Sequence, residues 1–252
     1  MAPGRGTSLK LTSLPSLTTG RCVAGVYAIT PDSLDTALLL SLSAAMLEAG
    51  VRTIQYRRKL TPAASQLVEA RQLQALAASH GANLIINDDL ALALAVGASG
   101  VHWGRDDVGA SSVESLAKDI KAARAKAAEV GLGAPLIVGI SCYNEFARAE
   151  LAAEAGADYV AFGSMFPSST KPLATVAPVA LITRAKRKFE IPVVAIGGIT
   201  RDNASSLIEA GVDAVAVITD LYSATDQRQI AERVKAFERL FQPHTINNKE
   251  TD

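Results

Sequence analysis

One phrase recurs along this chain: a helical run, a glycine able to end it, then a short apolar stretch rich in β-branched residues. "EAGVRTIQY", "SHGANLIIN", "AVGASGVHW", "EAGADYVAF" and "EAGVDAVAV" are its clearest copies. Glycine tolerates the left-handed conformation at a helix C-terminus, and the β-branched residues that follow favour extended backbone, so each copy reads as helix into strand. The predicted strands run from Val23 to Ile29, Thr53 to Arg57, Leu84 to Asn87, Gly100 to Trp103, Leu136 to Ile140, Tyr159 to Phe162, Val193 to Ile196 and Ala214 to Ile218. A helical pattern follows each. Parallel strands need helical crossovers, and strands apolar on both faces are covered on both faces. In a chain of 252 residues this alternation predicts an α/β fold, a single-domain (β/α)8 TIM barrel. An open doubly wound sheet is the alternative. The barrel is expected over residues 21–241, between a flexible N-terminal arm (1–20) and a flexible C-terminal tail (242–252). The arm is rich in Ser and Thr and lacks a secretory apolar core, so a transit peptide is its rival reading.

Composition then limits partners. Lys plus Arg equals Asp plus Glu at 25 each, so no bulk field draws the chain to nucleic acid or an acidic membrane surface. Phosphate binding, if present, must be local. No apolar run reaches the roughly 18 residues of a membrane span. The two cysteines, Cys22 and Cys142, have the spacing of neither a disulfide framework nor a zinc site, which predicts a reducing, cytoplasmic setting.

In barrels of this kind the chemistry sits where strands end, and there the unusual polar residues fall. After strand 2 comes "TIQYRRKL": alternation puts Gln55, Arg57 and Lys59 on one face and Tyr56 and Arg58 on the other. Arg57 offers a planar fork and Lys59 a point charge to an anion such as diphosphate; a solvated basic loop is the bland alternative. "IINDD" and "GRDD" end strands 3 and 4, which neighbour each other in a parallel barrel. Their carboxylates suit a hard cation such as magnesium, although either pair alone also suits helix capping. His102 reads as a satisfied buried histidine and Trp103 and Phe162 as packing residues. "GISCYN", "FGSMFPSSTKP", "AIGGIT" and "VITDL" follow strands 5 to 8. Ser141, Ser168 and Thr170 can donate to phosphate oxygens, Lys171 adds charge, and Gly197 and Gly198 can bring backbone N–H groups close to an anion or simply ease a turn.

Taken together, "QYRRK", "INDD", "GVHWGRDD", "GADYVAFGSMFPSSTK" and "AIGGIT" resemble the thiamine phosphate synthase family, over nearly all of Gly25 to Ala224. The resemblance implies a transferase of thiamine biosynthesis that joins an aminopyrimidine methyl diphosphate to a thiazole phosphate, giving thiamine phosphate and pyrophosphate. It implies Arg57, Lys59, Asn87 and Lys171 as holders of the pyrimidine diphosphate, helped by Gln55 and Ser141, with Arg57, Lys59, Ser141 and Lys171 serving the reaction. It further implies Asp88 and Asp107 as ligands of Mg2+; the other acid of each pair, Asp89 and Asp106, then keeps the helix-capping reading. Ser168 and Thr170 match the family's hydroxyls before the lysine, and Gly197, Gly198, Ile218 and Thr219 its thiazole phosphate pocket. The partners are thus small-molecule substrates, with no nucleic acid or membrane; a homo-oligomer is compatible with this reading.

The sequence also departs from the family pattern. Arg58 stands for a glutamate, opposite Arg57 and Lys59, which predicts little effect on diphosphate binding and a nearly silent Arg58→Ala. Arg105 and Asp106 alter charge beside the metal, Ser164 stands for a proline, and residues 108–135 are longer than usual and carry an extended helix. Two other functions remain open from sequence: a thiazole tautomerase, which has little use for a diphosphate cage, and a catalytically silent barrel that binds thiazole phosphate.

Overall fold

In the computed structural model, which describes residues 23–108, 112–167 and 175–242, strands and helices alternate from end to end. The order is β1 (Gly25–Ile29), α1 (Thr36–Glu48), β2 (Thr53–Tyr56), α2 (Ala63–Ser79), β3 (Asn83–Asn87), α3 (Leu90–Val96), β4 (Gly100–Trp103) and α4 (Val113–Glu129). It continues with β5 (Ile137–Tyr143), α5 (Phe146–Glu154), β6 (Tyr159–Phe162), α6 (Ala180–Lys188), β7 (Val193–Ile196), α7 (Ser205–Glu209), β8 (Ala214–Val217), α8 (Thr219–Tyr222) and α9 (Gln227–Phe241). Each strand pairs in parallel with the next, and β8 pairs with β1, so the sheet closes as the TIM barrel that the repeat predicts. Closure rules out the open sheet.

Local signals explain the helix ends. Asp35, Asp89, Ser112 and Asp226 each accept a backbone N–H of the first turn of α1, α3, α4 and α9. Gly97 ends α3 at φ 70°, the left-handed value expected of the recurring glycine.

Two apolar layers result. An outer one lies between sheet and helices and includes Val26, Leu39, Met46, Leu73, Val101, Val160 and Phe237. An inner one fills the barrel with Tyr27, Ile29, Ile85, Ile137, Tyr159, Ala161, Val194, Ala214 and Ala216. Strand alternation assigns each strand residue to its layer. Burying a large apolar side chain is worth about 1.5–3 kcal/mol, so the two layers dominate stability.

The predicted strand bounds differ mainly at β5, which continues through Ser141 to Tyr143 instead of ending at Ile140. Its pairing with β6 shifts register between Ser141 and Tyr143, and Tyr143 has φ 54°. Polar residues at a strand end are invisible to an apolar pattern. Ser141 therefore sits on a rigid strand. The extended helix expected before Pro135 is α4, tied to the barrel by Arg124, which donates to the carbonyls of Leu136 and Gly156 and to Asp158. The terminal arm of the sequence reading, and its tail after Gln242, lie outside the described residues.

Candidate active site

The C-terminal ends of the strands open into a cavity of about 830 Å3. Its floor and walls are apolar at Ile29, Ala161, Ile196, Ala216 and Ile218. Gln55, Arg57, Asn87, His102, Ser141, Gly197, Gly198 and Thr219 also line it. Eight of the sequence-predicted site residues thus face one space: Gln55, Arg57, Asn87, Ser141, Gly197, Gly198, Ile218 and Thr219.

Arg57 is held from two sides. The hydroxyl of buried Thr30 accepts the Arg57 N–H at 2.8 Å and donates to its carbonyl at 3.2 Å, and the guanidinium meets Asp32 at 3.2 Å. Asp32 also accepts the N–H of Leu60, so it organises the whole loop after β2. Sequence reading missed Asp32; its only signal is a lone acid at the end of the first strand, in "ITPDS".

Lys59 lies at the rim with its ammonium 2.8 Å from an Asp88 oxygen. Asp88 has φ 64°, uncommon for a residue with a side chain, and its backbone is fixed there: its N–H donates to the His102 carbonyl and its carbonyl accepts the Trp103 indole N–H. Trp103 is therefore packed as expected, yet it also shapes the site. Asp107 accepts the Gly104 N–H at 2.6 Å. Burial and the adjacent Asp88 carboxyl push Asp107 above the ordinary carboxylate range, against the Gly104 N–H and the Lys59 ammonium, which pull it down. The two acids expected to meet across neighbouring strands do meet.

Of the remaining acids, Asp89 caps α3 as expected. Asp106 does not cap: Ser112 takes that place on α4, and Asp106 lines the cavity instead. The intervening loop is long enough to separate the strand-end acid from the helix start, which spacing alone did not reveal.

The β4 and β5 ends are strapped together by Arg148, whose guanidinium donates to the carbonyls of Ser141 and Gly104 at 2.7 and 3.0 Å. Arg105 lies over the Tyr143 ring and contacts Glu145, forming one wall of the cavity. Arg148 and Asp32 lie in none of the quoted motifs, and Tyr143 lies in "GISCYN" without a role having been read for it.

Gly197 and Gly198 have φ 99° and 65°, and a Cβ on either would collide with the loop after β6, at Ser164 for Gly197 and at Phe166 and Pro167 for Gly198. That loop is pinned to β7 by the N–H groups of Met165 and Phe166 on the Ile196 and Gly197 carbonyls. Ser164, standing for a proline, donates its hydroxyl to the Phe166 carbonyl and so retains an anchor of its own. Ser168, Thr170 and Lys171 lie outside the described residues.

The Arg58 expectation needs correcting. Parity is right, for Arg58 points away from the cavity with Tyr56, but the residue is buried rather than idle. Its guanidinium meets Glu69 twice and donates to the Pro31 and Leu34 carbonyls. Nothing in the strand pattern announces a partner in α2.

Comparison with known proteins decides the lineage. A family model described as thiamine monophosphate synthase matches residues 26–221. The chain belongs to the thiamine monophosphate synthase family. A thiamine-phosphate synthase from Azoarcus sp. strain BH72 is 50% identical over 222 residues, 88% of this chain and 99% of the relative. Another from Methylobacillus flagellatus is 48% identical over 219 residues, 87% of this chain and 96% of the relative. The solved thiamine phosphate pyrophosphorylase from Pyrococcus furiosus superposes with a TM-score of 0.70 at 31% identity, covering 87% of this chain and 98% of that one. The family resemblance read from five short motifs therefore extends over most of the chain.

Proposed function

We propose that the chain condenses 4-amino-2-methyl-5-hydroxymethylpyrimidine diphosphate with 4-methyl-5-(2-hydroxyethyl)thiazole phosphate, giving thiamine phosphate and pyrophosphate. The observation that supports the reading is the meeting of Asp88, Asp107 and Lys59 just past the strand ends that carry Arg57 and Asn87, two residues that line one cavity with Gly197 and Gly198. One end is built for a diphosphate and the other for a phosphate monoester.

Arg57 and Lys59 neutralise the diphosphate oxygens, with Asn87 and Ser141 donating from adjacent strand ends. Two carboxylates supply the hard oxygen donors that suit a hard divalent cation, and the Lys59 ammonium already places positive charge beside Asp88. Asp88 and Asp107 would hold Mg2+, whose added charge would stabilise the departing diphosphate. The pyrimidine methylene C–O bond breaks with its electron pair leaving on pyrophosphate; the thiazole nitrogen lone pair forms the new C–N bond. No side-chain nucleophile takes part, so the residues work by positioning and electrostatics. The Gly197 and Gly198 backbone, with Thr219 opposite, receives the thiazole phosphate, and Ile29, Ala161 and Ile196 exclude water from the reacting carbon. Lys171 serves the diphosphate in this reading, with Ser168 and Thr170 as donors to phosphate oxygens, and Lys171→Ala weakens use of the diphosphate.

The test is to supply purified protein with both substrates and magnesium and to quantify products. Thiamine phosphate and pyrophosphate are expected in equal amounts. Isomerisation of the thiazole phosphate alone, or binding without turnover, would overturn the proposal.

A further inference from the structure

Beneath the cavity floor a chain of hydrogen bonds crosses the barrel interior and joins five strands. Gln55 Nε2 on β2 donates to the Tyr27 hydroxyl on β1 at 2.9 Å, and that hydroxyl lies 2.9 Å from the Tyr159 hydroxyl on β6. Tyr159 lies 2.9 Å from His102 Nδ1 on β4, and His102 Nε2 lies 2.8 Å from the Ser141 hydroxyl on β5. The two tyrosines are fully buried and meet edge to face, while the His102 ring stacks on Tyr159. Gly139 is what admits the Tyr159 ring, which lies where any Cβ at that position would project.

Starting from the Gln55 amide N–H as donor to Tyr27, hydrogen counting gives this chain one direction. The Tyr27 oxygen accepts from Gln55, so its own hydrogen goes to Tyr159. Tyr159 then has one hydrogen left to give, and it goes to His102 Nδ1. A bare Nδ1 requires the hydrogen on Nε2, and Nε2–H donates to Ser141. Every buried donor is satisfied in this order, whereas a reversed step strands a buried hydroxyl hydrogen. Burial also holds both phenols well above their ordinary pKa, so each keeps the hydrogen the count needs.

We propose that Tyr27, Tyr159 and His102 are positioning residues that set the polarity of two substrate contacts: Gln55 presents its carbonyl oxygen to the ligand, and Ser141 presents its hydroxyl hydrogen. Acceptor and donor then stand on opposite walls of one cavity. The substrate part rests on the condensation reading above. A pyrimidine amino group is the donor suited to Gln55, and a diphosphate oxygen the acceptor suited to Ser141. Gln55 and Ser141 touch substrate; the other three act only through them.

The chain has three histidines, His80, His102 and His244, so His102 can be assigned in histidine-labelled protein by its loss in His102→Gln. Long-range 1H–15N correlation on the ligand-free protein is expected to show neutral His102 with hydrogen on Nε2; hydrogen on Nδ1 would overturn the proposal whatever the reaction. Tyr159→Phe removes the hydrogen given to Nδ1, so the tautomers mix and the KM for the pyrimidine diphosphate rises roughly fivefold to tenfold, the loss of about one hydrogen bond. Tyr27→Phe frees Gln55 alone, so the same KM rises while the His102 spectrum stays as it was. In both, the KM for thiazole phosphate stays within about twofold, which a general loss of structure would not allow. Unchanged KM values in folded variants would refute the positioning role, and if neither folds, the tautomer of the unaltered protein still decides.

Discussion

Asp107, proposed above as a metal ligand, sits where its charge costs the fold stability. Its carboxyl is raised by burial and by Asp88, so the folded state holds the proton more tightly than the unfolded chain does, and the carboxylate costs stability as pH rises past the ordinary value. Asp107→Asn is expected to raise the melting temperature of the ligand-free protein at neutral pH while lowering turnover by about 100-fold or more. A less stable or fully active variant would contradict that pairing. The cause can be isolated: in Asp88→Asn, carbon-13 titration of Asp107 should move to lower pH, because a neighbouring negative charge has gone. The sequence exposed these two acids by their place at strand ends. It could not expose Asp32, Arg148 or the tyrosines, whose roles depend on which carbonyl or hydroxyl lies opposite after folding.

At the scale of elements, a buried cluster ties β2, α2 and the loop after β1. Glu69 accepts from Thr36 at 2.6 Å, from Tyr56 at 2.7 Å and from Arg58, while Arg58 also holds the Pro31 and Leu34 carbonyls. The pair is almost fully buried, so removing one partner leaves a desolvated charge. Arg58→Ala should cost about 3 kcal/mol in urea unfolding, and pairing Arg58→Met with Glu69→Leu should recover much of it. Burial pushes the Glu69 carboxyl up, but its hydrogen bonds from Thr36, Tyr56 and Arg58 outweigh that and hold it below the ordinary range. Its contribution is thus present above an unfolded pKa of about 4.3 and is lost as pH falls through the lower folded value. Unfolding at graded acid pH should show this loss in the unaltered protein and not in Glu69→Gln. The loop secured by Arg58 carries Asp32, so this packing cluster also steadies Arg57. Strand parity revealed which way Arg58 faces, but the identity of its partner lies eleven residues away in a helix and leaves no trace in a period of two.

For the whole molecule, the alternation of apolar strands and glycine-ended helices was legible because each unit is a local event. Closure of β8 onto β1 was the expectation from their number, and their pairing decides it against the open sheet. The extent of β5 was not legible, since "SCY" keeps pairing after the apolar signal has stopped. Nor was the interior hydrogen-bond chain, which joins residues up to 132 positions apart. The barrel gathers at one rim what the chain scatters: Arg57 and Lys59 from the segment after β2, Asp88 from the end of β3 and Asp107 from the loop after β4. The central claim is that this rim assists an anionic leaving group with a divalent cation. Its most direct test is the rate of pyrophosphate release from both substrates as free Mg2+ is varied. Saturable activation is expected, stopping on chelation, with the half-saturating Mg2+ raised about 10-fold or more in Asp107→Asn. Full release after chelation, or an unchanged Mg2+ requirement in that variant, would contradict it.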